Sequence, residues 1–172
     1  TQGSYAPDGN WLLLSHESSG EPVNYWVHDT VSGRDMQITH TAIASLGSAV
    51  MPEAQIVHYQ SFDGLIISAL LWMPFNLPRD GTQPALVLPH GGPTWQMKDY
   101  WSPDIAALAS RGYVCIAPNV RGSTGYGMEF QRANYQDLGG GDLQDVVYAA
   151  NFLKETGYVD PRRIGITGGS YG

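Results

Sequence analysis

The stretch that most restricts the fold of this chain is its last nine residues. The short apolar run Ile164–Thr167 leads directly into Gly168-Gly169-Ser170-Tyr171-Gly172, the pattern G-x-S-x-G. After a strand, this pattern is typical of a sharp turn into a helix, where a serine hydroxyl projects above a sheet and flanking side chains would collide. The backbone N–H of Tyr171 would then face a developing oxyanion. The sequence therefore predicts a nucleophile elbow centred on Ser170, in a chain that reads as a piece of a longer protein.

From residue 85 onward, predicted strands and helices alternate. The wholly apolar run Ala85–Leu88 indicates a strand that is buried on both faces, and Val114–Ala117 and Ile164–Thr167 are predicted as the next two buried strands. A first helix is predicted over Ser102–Gly112, because a capping serine, a proline and an acid stand at its start and a glycine at its end. A second helix is predicted over Asp142–Thr156, where apolar residues recur with helical periodicity. The apolar stripe of this second helix consists of Leu143, Val146, Val147, Ala150 and Leu153. This alternation predicts an α/β fold with parallel strands joined by right-handed crossovers.

Residues 1–40 have a different, β-rich pattern. Short strands are predicted at Trp11–Ser15, Asn24–Asp29 and Asp35–Thr39, with a polar loop at Glu17–Pro22 and turn residues between the others. Strands of this length and spacing favour a β-sandwich or one blade of a β-propeller, and an unrelated β meander stays open for this segment alone.

Between these two parts the sequence predicts a linker and a hairpin. Residues 41–53 show little periodicity and are interpreted as a domain crossing. The dipeptide Asp63-Gly64 then separates Gln55–Tyr59 from Leu65–Met73, a strong hairpin signal. Further along, Asp160-Pro161 is predicted to turn the chain after the second helix.

Two glycine-rich loops follow the first two strands of the α/β part. His90-Gly91-Gly92-Pro93 comes directly after Ala85–Leu88, and its glycine pair would present bare backbone N–H groups at the edge of the sheet where ligands bind. Such a loop, about 80 residues before G-x-S-x-G, is more specific than either motif alone, although a purely structural turn is the alternative. The second loop, residues 118–127, matches no phosphate motif, because no lysine follows and no helix is predicted to open on it.

The three motifs, in this order, resemble the catalytic domain of the prolyl oligopeptidase family of serine peptidases (family S9). The loop at His90 is most similar to the acylaminoacyl-peptidase branch, because the prolyl oligopeptidase branch proper has a tyrosine at that position. Residues 119–127, 140–146 and 168–172 also match, and residues 1–40 resemble one propeller blade. The resemblance implies the C-terminal end of a β-propeller over residues 1–50 and the N-terminal part of an α/β-hydrolase domain over residues 51–172.

The same resemblance assigns roles to three residues. Ser170 is implied as the nucleophile, and the backbone N–H groups of Gly92 and Tyr171 are implied as the oxyanion hole. The implied activity is cleavage of short peptides through an acyl-enzyme, of the oligopeptidase, dipeptidyl-peptidase or acylaminoacyl-peptidase type. No metal or organic cofactor is implied, and a homo-oligomeric parent protein stays open.

The chain departs from the family in lacking a base after the nucleophile. In α/β hydrolases the order is serine, acid, histidine, whereas all five histidines here precede Ser170. His90 is interpreted as an orienting or packing residue. Asp142 and Asp145 are interpreted as favouring a helix N-terminus or pairing with Arg121. The triad acid and base are therefore expected downstream, and the segment alone is expected to be inactive.

Composition narrows the other classes of function. The net charge is −7 and only two lysines occur, which argues against nucleic acid and anionic membranes as partners. The single cysteine, Cys115, lies in an apolar run and is predicted to be a buried, inert thiol. Two alternatives to the peptidase remain: an esterase or lipase on the same fold, and a non-catalytic protein that binds peptides or partners.

Overall fold

The computed structural model describes residues 1–41 and 52–172, which form two β-sheets and three helices. The first sheet is antiparallel, with its four strands in sequential order. They are β1 (Gln2–Tyr5), β2 (Trp11–Ser18), β3 (Glu21–Asp29) and β4 (Arg34–Gln37). This sheet has the strand order of one propeller blade, as expected.

The structure of this sheet differs from the predictions in three places. β1 was missed: it pairs with β2, Gly3 lying opposite Leu14, where mainly turn was predicted. The predicted loop at Glu17–Pro22 is shorter, because Ser18 pairs with Glu21 and leaves only two residues in the turn. β4 ends before Thr39, whose hydroxyl accepts the Tyr25 N–H at 2.8 Å in place of a backbone carbonyl.

The second sheet has five strands in the order β5-β6-β8-β7-β9. They are β5 (Gln55–Gln60), β6 (Ile66–Trp72), β7 (Gln83–Val87), β8 (Val114–Asn119) and β9 (Val159–Ile166). β5 and β6 form the predicted hairpin around Asp63-Gly64. β7 runs parallel to β8 on one side and to β9 on the other, which confirms the predicted parallel pairing.

The helices are α1 (Pro103–Ser110), α2 (Met128–Arg132) and α3 (Gly141–Glu155). The predicted start of α1 is confirmed, because the Ser102 hydroxyl accepts the Ile105 N–H at 3.4 Å. α1 and α3 pack on opposite faces of the second sheet: Val146, Ala149 and Leu153 join one core cluster, and Ile105 joins the other. Cys115 lies in the α1-side cluster, where burial raises the pKa of its thiol to about 12.

Three features of this half differ from the predictions. α2 was missed; it is a single short turn of helix after Gly127, with no buried residue. Asp160-Pro161 lies inside β9 rather than in a turn, because the strand bulges between Val159 and Ile164 and then resumes its pairing with β7. β9 is also only partly buried: Ile164 packs against the core cluster on the α3 side, whereas Ile166 is 61% exposed.

The buried face of α3 was predicted with the right period and the wrong phase. Leu143 and Val147 are exposed, and the buried positions are Asp142, Asp145, Val146, Ala149 and Leu153. The helix is rotated toward its two aspartates because both carboxylates bind groups inside the domain.

The two sheets are joined by hydrogen bonds at the tip of the β2–β3 hairpin. Ser19 donates its N–H to Asp99 Oδ1 at 2.7 Å, and its hydroxyl oxygen accepts the Ala54 N–H at 2.7 Å. Glu17 Oε2 accepts the Trp101 N–H at 3.2 Å. The linker predicted over residues 41–53 lies largely outside the described residues, so the division at residue 50 stays a prediction. No helix in the described part of the chain is long and apolar enough to cross a membrane.

Candidate active site

Ser170 stands on a strained turn directly after β9. Its φ is +58°, in the left-handed region that residues other than glycine rarely adopt. A side chain at Gly168 would collide with the Gly172 carbonyl carbon and lie 2.9 Å from the Pro89 oxygen, and one at Gly172 would collide with Pro89 as well. The two outer glycines of G-x-S-x-G are therefore required because the chain that follows β7 lies too close for a side chain at either position. This is the collision that the sequence pattern predicted.

The loop after β7 lies against this serine. A Cβ at Gly91 would lie 3.2 Å from Ser170 Cβ, 3.7 Å from Ser170 Oγ and 3.1 Å from the Gly169 carbonyl oxygen. Two of these distances are shorter than ordinary van der Waals contact, so a side chain at position 91 would require the backbone at Gly169 or the Ser170 side chain to shift. The structure thus brings together two motifs that lie about 80 residues apart, the glycine pair and the elbow, at the carboxyl end of neighbouring parallel strands.

His90 is held beneath this loop and does not contact the serine. It is 6% exposed, with Nδ1 2.8 Å from its neighbour's carbonyl, Gly91 O, and Nε2 2.8 Å from Ser123 Oγ. A neutral ring donates from Nδ1 to Gly91 O, and its unprotonated Nε2 faces the Ser123 hydroxyl, whose single proton is also within reach of the Val120 carbonyl at 2.6 Å. Burial lowers the His90 pKa, with a smaller opposing effect from the Gly91 carbonyl. Both ring nitrogens are therefore engaged, which agrees with an orienting residue rather than a base.

Tyr171 is tied to the start of α3 by its phenol. Its hydroxyl donates to Asp142 Oδ2 at 2.6 Å and accepts the Gly139 N–H at 2.9 Å. Desolvation raises the Tyr171 pKa, and the hydrogen bond to Asp142 adds to the effect. Sequence reasoning placed Asp142 at a helix start but missed this contact with the residue that follows the nucleophile.

Arg121 joins the loop after β8 to α3 and to the β5–β6 hairpin. Its Nε and Nη2 donate to the two oxygens of Asp145 at 2.9 and 2.8 Å, and its Nη1 and Nη2 donate to Asp63 at 2.8 and 3.0 Å. Of the two predicted partners, Asp145 binds Arg121, whereas Asp142 binds Tyr171 instead. Asp63 was missed as a partner; the guanidinium lowers the pKa of its carboxyl to about 2.

Asn134 is a second residue that sequence reasoning missed. It is fully buried, its Nδ2 donates to Asp142 Oδ2 at 3.3 Å, and its side chain fills the space above Gly122. Its position between α2 and α3, in a stretch without periodicity, gave no signal of burial.

Among the described residues, no histidine hydrogen-bonds to Ser170, and no group of three histidine, cysteine or acidic side chains is placed to hold a metal ion. The site therefore presents a serine hydroxyl on a strained turn, beside a glycine loop that can offer backbone N–H groups. This arrangement suits attack on a carbonyl carbon and stabilisation of the resulting oxyanion.

Comparisons with known proteins agree with this geometry. Residues 100–172 match the model of the prolyl oligopeptidase family (peptidase S9). The "uncharacterized peptidase YuxL" of Bacillus subtilis is 37% identical over 117 residues, which are 67% of this chain and 18% of that protein. The acylamino-acid-releasing enzyme of Mus musculus is 32% identical over 121 residues, 70% of this chain and 16% of that enzyme. A crystal structure of puromycin hydrolase superposes with a TM-score of 0.82 at 31% identity, covering 95% of this chain and 25% of that one. The chain thus spans less than a fifth of these two curated relatives.

Proposed function

Because the chain belongs to the prolyl oligopeptidase family of serine peptidases, we propose that it carries the nucleophile and the oxyanion hole of an enzyme that hydrolyses short peptides. Ser170 attacks the scissile carbonyl carbon and forms an acyl-enzyme. The N–H groups of Gly92 and Tyr171 bind the oxyanion. A histidine takes the serine proton, and an acid orients that histidine. In hydrolases of this fold both residues follow the serine along the chain, so we assign them to residues after 172 of the full-length protein.

One observation carries this proposal. Ser170 has a left-handed backbone at the end of a parallel strand, and Gly91 approaches it so closely that a Cβ there would lie 3.2 Å from Ser170 Cβ. A strained serine with a bare glycine loop against it is the arrangement that acyl transfer needs. Asn76 and Gln136 also have a positive φ, so it is the combination of this backbone with the glycine loop that supports a catalytic role for Ser170.

The substrate class follows from the relatives and from His90. The name of the mouse relative describes the release of acylated amino acids, and a branch of the family that carries histidine at the position of His90 has this type of activity. We therefore propose short peptides with a blocked or free N-terminus as substrates, cleaved near that end.

A fluorophosphonate probe tests the nucleophile. The full-length protein should be labelled, and Ser170→Ala should abolish the labelling. Ser110→Ala is the matched control, because Ser110 lies exposed at the end of α1 and bonds only the Ala107 carbonyl. Labelling that persists in Ser170→Ala would place the nucleophile elsewhere.

Chromogenic substrates then test the reaction. Acylaminoacyl and dipeptidyl anilides should be hydrolysed by the full-length protein, and the turnover should vanish with Ser170→Ala. Hydrolysis of simple esters without any peptide or anilide turnover would point to the esterase alternative. Labelling and turnover both absent from a folded protein would favour a binding function.

A further inference from the structure

We propose that Asp142 is a positioning residue of the active site, which acts through the phenol of Tyr171 to hold the Tyr171 backbone N–H at the oxyanion. The inference rests on the function proposed above, because it concerns one of the two donors assigned to that hole. The Asp142 carboxylate, which is buried and is not part of the proposed catalytic triad, would thereby have a role in the reaction.

The geometry begins with the two ends of Tyr171. Its backbone lies on the strained turn, one peptide bond after Ser170, and its ring extends to the start of α3. There the hydroxyl donates to Asp142 Oδ2 at 2.6 Å and accepts the Gly139 N–H at 2.9 Å. A side chain fixed at its far end restricts rotation of the backbone to which it is attached. The peptide N–H between Ser170 and Tyr171 is therefore held from two sides.

Asp142 is itself buried and hydrogen-bonded. It is 2% exposed, its Oδ1 accepts the Leu143 N–H at 2.8 Å, and it shares the Gly139 N–H, at 2.9 Å, with the Tyr171 hydroxyl. Its Oδ2 also accepts Asn134 Nδ2 at 3.3 Å. The carboxylate stands in the first turn of α3, where the helix dipole favours a negative charge. No arginine competes for it, since Arg121 is occupied by Asp145 and Asp63.

The hydrogen bond between the Tyr171 hydroxyl and Asp142 is short enough to fix the position of the Tyr171 side chain. A separation of 2.6 Å between a hydroxyl and a carboxylate oxygen is typical of a charge-assisted hydrogen bond, which is shorter and stronger than a neutral one. An oxyanion donor works only within a narrow distance range, and loss of one donor costs roughly 10²–10³-fold in kcat. A loosened donor should lose part of this, so we expect a fall in kcat of about tenfold when the anchor is removed.

The test uses variants of the full-length protein. Tyr171→Phe removes the hydroxyl alone, and Asp142→Asn removes the charge and keeps the shape. Each should lower kcat about tenfold and leave KM within about twofold. The double variant should be no slower than the slower single variant, because both changes break the same bond. If Asp142→Asn does not fold, Tyr171→Phe decides the question alone.

Two controls separate positioning from support of the fold. Asp137→Asn removes another carboxylate at the start of α3, which accepts the Gly141 N–H at 2.9 Å and does not bond Tyr171. Tyr135→Phe removes an exposed phenol in the same region. Both should leave kcat unchanged, even where the melting temperature falls.

A peptide aldehyde gives a readout of the oxyanion hole itself. Its adduct with Ser170 places an oxygen in the hole, so its inhibition constant should rise in Tyr171→Phe by the factor by which kcat/KM falls. Unchanged kcat in Tyr171→Phe, or losses that multiply in the double variant, would overturn the inference. Full activity of Ser170→Ala would instead overturn the proposed function, so the two failures are distinguishable.

Discussion

Arg121 binds two carboxylates at once, and through them connects three elements. Its side chain is 10% exposed, between the fully buried Asp145 and the partly exposed Asp63. Its backbone N–H also donates to Asp145 Oδ2 at 2.8 Å, and its guanidinium lies 4.8 Å from the centre of the Phe62 ring. The hydrogen bonds to Asp145, followed by those to Asp63, raise the pKa of Arg121 further above its ordinary value. The end of β8, the start of α3 and the β5–β6 hairpin are thereby fixed beneath the active-site loops.

Arg121→Lys should destabilise the protein without changing its choice of substrate. An ammonium cannot reproduce the four side-chain hydrogen bonds of a planar guanidinium, so Asp63 or Asp145 loses its partner. We expect a loss of about 2 kcal/mol in the free energy of unfolding, measured by denaturant titration and as a lower melting temperature.

The matched control for this substitution is Arg162→Lys. Arg162 also pairs with an aspartate, Asp160, but its side chain is 88% exposed and solvent screens the pair, so its replacement should leave the melting temperature unchanged. Unchanged stability of Arg121→Lys together with an altered order of preferred substrates would make Arg121 a substrate contact instead.

The contacts of single residues could be predicted only where the predicted strands and helices already placed the two residues close together. Asp145 was predictable as a partner of Arg121, because an acid at the start of α3 faces the loop after the neighbouring strand. Asp63 was not, since Asp-Gly is fully explained by a tight turn. The bond between Tyr171 and Asp142 joins residues 29 positions apart, and the direction of a tyrosine side chain is not encoded in a local pattern.

At the scale of elements, the tip of the β2–β3 hairpin is a second point of contact that no pattern revealed. Ser19 is 6% exposed although it occupies a two-residue turn, a position that is normally solvated. It is buried because its N–H and its hydroxyl oxygen hydrogen-bond to Asp99 and to Ala54, the residue before β5. Asp99 lies in the stretch that leads from the His90 loop to α1, so the hairpin holds the first sheet against that stretch.

Ser19→Ala should therefore loosen the contact between the sheets. The Ala54 N–H would lose the Ser19 hydroxyl as its acceptor in a partly buried position, at a cost of about 1–2 kcal/mol. Hydrogen exchange measured on a peptide covering residues 52–60 should become faster at Ala54. Ser32→Ala is the control, because Ser32 lies in the β3–β4 turn and bonds only Asp29 of its own hairpin. Equal exchange in the two variants would contradict the role given to Ser19.

Helix and strand types were largely predictable, whereas their orientation in the layers was not. The 3.6-residue period of α3 was visible in the sequence, but its phase depended on two aspartates that turn inward to bind Arg121 and Tyr171. Hydrophobicity alone would place the more apolar Leu143 and Val147 inside. The exposure of Ile166 in β9 was not predictable for a similar reason, since an apolar strand has the same pattern whether or not its faces are covered.

At the scale of the whole molecule, one apolar groove lies next to the elbow. Ile166 of β9 and Leu143 of α3 are exposed and line this groove together with Tyr171 and Gly172. Exposed apolar patches of this kind favour association in water. The alternation of elements predicted the parallel strands of the second sheet, but not the strand order β5-β6-β8-β7-β9.

A protein limited to residues 1–172 should show no peptidase activity, even with Ser170 intact. None of the described histidines hydrogen-bonds to the Ser170 hydroxyl, and His90 has both ring nitrogens engaged elsewhere, so the serine stays a weak nucleophile. The Tyr171 N–H lies at the chain terminus, where fraying would misplace it despite the bond to Asp142. The exposed groove should also lower solubility. The measurement is hydrolysis of an acylaminoacyl anilide by this segment beside the full-length protein at equal concentration. Turnover by the segment that vanishes in its own Ser170→Ala variant would refute this expectation and make His90 a candidate base.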